Sequence, residues 1–181
     1  VGRRPKSRLG LVLAGAIAAS LILPLAVQQP AVSQSASSLN AVVVPLDSAA
    51  RDSEFVPDAE ATLLALLNEA RREHHLPALV MSPHLRQAAR LHSRDMAARG
   101  YLGHGTPGGA SFVERISAFV RPGALVGENV VAAETPEQAN SAFVSSRGHL
   151  ENMLNPSFHV VGIGVATAGR IGLMVTEDFA Q

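Results

Sequence analysis

The chain predicts an α+β fold, a three-layer α-β-α sandwich with a mainly antiparallel central sheet. Three observations carry that prediction. Two long segments show apolar stripes at helical spacing, and two shorter ones open with helix-capping residues. The last two apolar runs have β character and are joined around Ala168-Gly169, as in a hairpin. The order helix, strand, helix, helix, strand, helix, strand, strand leaves one sheet that must be covered on both sides.

The first helix is expected from Asp58, its cap, to about His74, with Leu63, Leu64, Leu66, Leu67 and Ala70 as its apolar stripe. Leu76-Pro77 stops it, and Leu79 to Met81 reads as a short strand. Ser82-Pro83 opens the second helix in the cap-then-proline order. Leu85, Ala88, Ala89, His92 and Met96 share its inner face, and Gly100 ends it. A glycine-rich loop, Tyr101 to Gly109, holds His104. Ser111 to Glu114 reads as the capping box of a short third helix. Gly127 to Val131 reads as a strand that begins with two polar residues, Glu128 and Asn129. Thr135-Pro136, with Gln138, starts a fourth helix to about Arg147, closed by Gly148. A turn-rich connection, Gly148 to Pro156, then carries His149, Asn152 and Asn155 into the terminal runs Phe158 to Thr167 and Ile171 to Phe179.

Three segments are expected: 1–27 as a signal peptide or membrane anchor, 28–56 as a spacer, and 57–181 as the compact domain. Arg3, Arg4, Lys6 and Arg8 precede an uncharged apolar run, Leu9 to Val27, and small residues follow. That is the pattern of an export signal, and it also suits an uncleaved anchor with its basic end inside. The spacer is rich in Gln, Ser, Ala and Pro. An extracytoplasmic domain is the expectation, touching the membrane only through its leader.

Composition removes several function classes. The leader holds four of the fifteen basic residues and none of the fifteen acidic ones, so the remainder is mildly acidic and lacks lysine. Such a surface is unsuited to nucleic acid. Absence of cysteine excludes disulfides, thiolate metal sites and a cysteine nucleophile. There is no Gly-x-Ser-x-Gly elbow and no His-Glu-x-x-His helix.

The polar pieces, taken together, resemble a known family. They are Asn68-x-x-Arg71, Ala89-x-x-His92-Ser93-x-Asp95-Met96, His104, Gly127-Glu128-Asn129, Gly148-His149-x-x-Asn152-Met153-Leu154-Asn155-Pro156 and Val161-Gly162-Ile163-Gly164-Val165. In this order they resemble the CAP superfamily, or SCP-like domain, of cysteine-rich secretory and pathogenesis-related proteins, in its bacterial form. The resemblance implies an α-β-α sandwich with a cleft of two histidines and up to two glutamates. Matched residue by residue, the cleft set is His104, Glu128 and His149. The second glutamate of eukaryotic members falls on Ser146, after Phe143, so three of four positions are filled and the case for catalysis is weakened.

Two readings of this set stay open. Two imidazoles and a carboxylate suit Zn²⁺ or another divalent cation, which makes His104, His149 and Glu128 candidate metal ligands, although nothing in the sequence requires a cofactor. Alternatively, the same groups form a hydrogen-bond network that ties loops together. His92, on an apolar helix face, is expected to be a core histidine bonded to backbone, and Asn68 and Arg71 to anchor the first helix. For function, the resemblance favours a non-enzymatic binding module for a lipid or cell-envelope ligand. The rivals are a metal-assisted, protease-like hydrolase with Glu128 as catalytic base, and a structural envelope protein with an unused cleft.

Overall fold

A computed structural model describes residues 54–181. The expected leader, 1–27, and the expected spacer as far as residue 53 lie outside the described residues. The main helices and strands are α1 (Pro57–Glu73), β1 (Val80–Met81), α2 (Pro83–Arg99), α3 (Phe112–Ile116), β2 (Val126–Ala133), α4 (Pro136–Ser145), α5 (Arg147–Met153), β3 (Val160–Thr167) and β4 (Leu173–Ala180). The strand order is β1-β3-β4-β2. β1 runs parallel to β3, whereas β3–β4 and β4–β2 are antiparallel, so the sheet is mixed with antiparallel pairing dominant.

Side chains alternate across the sheet, and the two faces are covered differently. Leu173, Val175 and Phe179 of β4, with Val161, Ile163 and Val165 of β3, pack on one face under Leu63 and Leu67 of α1, Ala139 and Phe143 of α4 and Met153 of α5. Met174 and Val130 face the other side, against Met96 and Ala97 of α2. That gives the three layers.

Two glycines explain how closely α2 lies on β3. A Cβ on Gly162 would fall 2.1 Å from the Leu85 carbonyl carbon, and one on Gly164 2.1 Å from the Arg90 nitrogen. The backbone of α2 therefore rests directly on the strand at Gly162 and Gly164. Ser93 fastens the contact by donating to the Gly164 carbonyl at 2.8 Å.

The caps read from sequence are present for α2, α3 and α4: Ser82, Ser111 and Thr135 each accept from the backbone N–H three residues on, and Ser111 with Glu114 completes a capping box. Gly100 ends α2 in the left-handed region at φ 66°. Two expectations change. α1 begins at Pro57 with no side-chain cap, and Asp58 lies inside its first turn instead. Gly148 does not close α4. The chain breaks at Ser146, which is extended, and Arg147–Met153 forms a separate helix, α5, where a turn-rich connection was expected.

The reason for α5 is tertiary. Met153 is fully buried, and Arg71 of α1 donates to the carbonyls of Met153 (2.8 Å) and Asn155 (3.0 Å) at and just past the helix end. Glu54–Val56 also behave differently from a spacer. Phe55 bridges to Ala166, and Val56 donates to the Val165 carbonyl at 3.1 Å. These residues cover the far end of the β3 edge, Val165 to Thr167, beyond the reach of the two-residue β1.

Candidate functional site

The site is built on β2, an edge strand, where period two sends neighbouring polar side chains to opposite faces. Glu128 lies opposite Asp178 of β4, and Asn129 lies opposite Glu177. Glu128 and Asp178 thus share the α2 face, while Asn129 and Glu177 share the face under α5. Gly127, one residue earlier, has no room for a side chain because a Cβ there would fall 2.8 Å from Asn152 Oδ1. Asn152 uses that access to donate to the Glu128 carbonyl (3.2 Å) and to Asn129 Oδ1 (3.0 Å), which docks α5 on the strand.

On the α2 face His104 and Glu128 meet. His104 Nδ1 is 2.9 Å from Glu128 Oε1, and with the carboxylate accepting, the proton sits on Nδ1 and Nε2 is left outward. The His104 side chain is 48% exposed while that of Glu128 is fully buried. Arg115, from α3, pairs with the other carboxylate oxygen and also donates to the His104 carbonyl at 3.1 Å. His104 reaches this position because its loop is fastened on both flanks. His92 Nε2 donates to the Gly103 carbonyl at 2.8 Å, and Arg99 to the Pro107 carbonyl at 2.8 Å. His92 is buried, and desolvation pushes its pKa down, so it is the backbone-bonded core histidine that its position on an apolar face predicts.

His149 belongs to the other layer. Its carbonyl accepts from Asn129 Nδ2 at 3.2 Å, and its ring stands edge-on to Phe143 with centroids 5.3 Å apart. Its Nδ1 is buried without a hydrogen-bond partner. Burial first, then the nearby His104, lowers its pKa. The structure therefore brings His104 and Glu128 into contact and sets His149 beside them from the opposite side of β2.

Of the three candidate ligands, Glu128 has both carboxylate oxygens engaged within the chain. Among the described residues no group of three His, Asp or Glu side chains is disposed to hold a metal ion. Glu128 has one oxygen on His104 and the other on Arg115, and no part of its side chain reaches solvent. The same facts weigh against the expected role of Glu128 as a catalytic base, since a base must reach the proton it takes. Of the three candidate residues His104 is the most exposed, His149 is partly exposed and Glu128 is buried.

Two acids in β4 complete the surroundings, and motif reading passed over both. Asp178 is buried, with the Glu128 carboxylate beside its own across the two strands. Burial, and next the Glu128 carboxylate, raise its pKa well above the usual range, which favours the protonated acid. Glu177, equally buried, accepts from Asn129 at 3.2 Å, and desolvation pushes its pKa up to about 7. The signal available was an acidic pair inside an otherwise apolar strand run. For Arg115 the sequence carried no signal beyond its place one turn into a capped helix.

A four-stranded mixed sheet between helical layers, with a His–Glu contact at one edge strand, defines the class of protein. The family model for CAP, the cysteine-rich secretory protein family, matches residues 64–179, and the chain belongs to that family. It is 32% identical over 113 residues to the uncharacterized protein YkwD of Bacillus subtilis, a match covering 62% of this chain and 44% of that protein. Among solved structures it is similar to an extracellular protein containing a SCP domain from Bacillus anthracis, with 28% identity and a TM-score of 0.62, covering 69% of this chain and 41% of the other. The fold is also that of an outer surface protein from Borrelia burgdorferi, with 15% identity and a TM-score of 0.64, covering 71% of this chain and 98% of that one. The chain thus spans less than half the length of the two Bacillus relatives.

Proposed function

We propose that the domain is an extracytoplasmic binding module that presents His104 to a lipid or other cell-envelope ligand. The observation that carries this reading is a half-exposed imidazole held at 2.9 Å by a buried carboxylate that is itself neutralised by Arg115. Burying such charges is costly, and orienting a contact group is the return that the geometry offers. A shallow groove of about 480 Å³ beside α5 supports an apolar component of the ligand. It is lined by Leu150, Leu154 and Pro156 together with Arg147, Glu151 and Asn155. Neither His104 nor Glu128 lines this groove, and the proposal gives the polar contact to His104. Location outside the cytoplasm is supported by the leader pattern and by the extracellular description of the Bacillus anthracis relative.

The test is binding of the purified chain to envelope lipid vesicles and, separately, to purified cell-wall polymer, compared with His104→Ala. The variant should stay folded at the assay temperature, with a melting temperature lowered because buried Glu128 Oε1 gives up its partner, and lose at least about tenfold in affinity for whichever material binds, the cost of one good polar contact. Equal binding by the variant would remove His104 from the ligand site. Peptide cleavage abolished by His104→Ala would instead favour the hydrolase reading.

A further inference from the structure

We propose that the outer face of α2, together with the turn that follows α3, is a docking surface for an anionic lipid bilayer. Such docking is independent of the ligand that His104 meets. The two helical layers differ in charge. α2 carries four arginines and one aspartate, whereas α1, across the sheet, carries two arginines and four acids. The single acid of α2 is engaged, since Asp95 accepts from Tyr101 at 2.6 Å and from Arg99. Arg86, Arg90 and Arg94 recur every fourth residue and so form one stripe along the helix. Arg86 and Arg90 share one carboxylate, that of buried Glu60, each through Nε at 2.7 Å. Arg94 has no carboxylate within salt-bridge distance among the described residues, and its guanidinium lies over the Phe55 ring, 5.3 Å from the centroid. Glu54 and Asp58, the exposed acids on either side of Phe55 in sequence, reach none of the three. The stripe therefore keeps an excess of positive charge.

Apolar side chains line the other flank of the same face. Helical spacing brings His84 and Leu91 round together, beside Arg94. Leu91 is 42% exposed and Phe119, in the turn after α3, is 44% exposed. Phe119 stacks on His84 with ring centroids 5.8 Å apart and planes 6° apart, so the turn and the helix present one surface. From Ile116 to Gly127 there is no acid, and Arg121 is exposed. A hollow beside the turn, bordered by Val113, Val120 and Arg121, measures about 130 Å³. Pockets for single small molecules start at about 300 Å³, so these side chains are placed to meet a surface rather than to enclose a molecule. Arginines next to exposed leucine and phenylalanine suit a bilayer interface, with cations for headgroup phosphates and apolar groups for the acyl boundary. The acidic α1 layer would be repelled by the same bilayer, which favours one orientation.

The experiment uses the whole chain, which has no cysteine and so takes a label at one introduced position. A polarity-sensitive fluorophore is attached at Gln87→Cys, exposed in the middle of the proposed face, or at Ser141→Cys, exposed on α4 across the sheet. Each protein is titrated with vesicles of phosphatidylglycerol and phosphatidylcholine, and with vesicles of phosphatidylcholine alone. The label at Gln87 should shift to the blue with the anionic vesicles only, and the label at Ser141 with neither. A leader inserted in the vesicle would tether both labels alike, so the difference between them reports the face. Arg94→Gln should raise the lipid needed for half the shift about fivefold, the worth of one arginine at an anionic surface. Phe119→Ser should raise it at least about tenfold through lost apolar burial, and His104→Ala should leave it unchanged. Equal shifts at the two positions, an equal response to neutral vesicles, or a shift lost with His104→Ala would each overturn the proposal. So would folded Arg94→Gln and Phe119→Ser proteins that titrate as the parent does. A blue shift that grows with protein concentration and needs no vesicles would overturn it too, making the face an interface between copies. If either variant fails to melt cooperatively, the comparison of Gln87 with Ser141 decides alone.

Discussion

Glu177 shows how much one buried acid can shape behaviour. Its pKa is raised by desolvation to about 7 from an ordinary 4.5, only partly relieved by the Asn129 amide. The folded state therefore holds a proton that the unfolded chain has released through the interval between those values. Its contribution to stability is complete below about pH 4.5 and is lost as pH rises toward 7, by roughly 3 kcal/mol at one unit per 1.36 kcal/mol. Glu177→Gln keeps an oxygen for Asn129 and has nothing to ionise. Unfolding free energies measured from about pH 4.5 to 8 should fall less steeply for this variant, and it should be the more stable protein at the alkaline end. Parallel curves for variant and parent would mean that Glu177 is not held protonated. His149 acts with the opposite sign. Its lowered pKa means that acid favours the unfolded chain, so its share of stability is present above the ordinary histidine range and lost below it.

Among the elements, the contact of α2 with β3 depends on having no side chain at two positions. Gly164→Ala would drive a methyl group to 2.1 Å from the Arg90 nitrogen and 2.2 Å from the Ala89 carbonyl carbon. Backbone cannot give way as a flexible side chain can, so a cost of about 3 kcal/mol, at the upper end of overpacking, is expected. Thermal melts should show the loss, and a change within experimental error would mean that the layers are less tightly apposed. By contrast, α5 is an element made by its surroundings. Seven residues that include a glycine and an asparagine make a weak helix alone. Burial of Met153 and the bonds of Asn152 to β2 hold it in place.

At the level of the whole molecule, two buried charged side chains tie the layers together. Glu60 of α1, with no exposure, receives Arg86 and Arg90 of α2, so helices on opposite faces of the sheet are joined around its edge. Arg71 donates to the carbonyls of Pro77, Met153, Asn155 and Phe158, gathering the end of α1, the end of α5 and the entry to β3. Asn68 completes the anchorage by exchanging two bonds with the backbone of Leu79, at 2.8 and 3.1 Å. Asn68 and Arg71 thus do the anchoring work expected of them, each through backbone groups. Arg71→Met would leave buried carbonyls unpaired and should cost about 3 kcal/mol or more, read as a lower urea midpoint. A midpoint unchanged from the parent would show that water replaces the guanidinium without penalty.

The periodic and the local were legible in the chain. Apolar spacing predicted α1 and α2, Ser82, Ser111 and Thr135 marked helix starts, and the last two apolar runs became β3 and β4. Motif order led to the family, and it singled out His104 and Glu128, which do meet. These features depend on near neighbours in sequence, where backbone preference and capping act directly. Only the tertiary structure could set Arg115 and Asp178 against Glu128, from a short helix and from a strand distant in sequence. Only it could set His149 of α5 against Asn129 and Phe143, because where a short helix docks is decided by what it packs against and not by its own sequence.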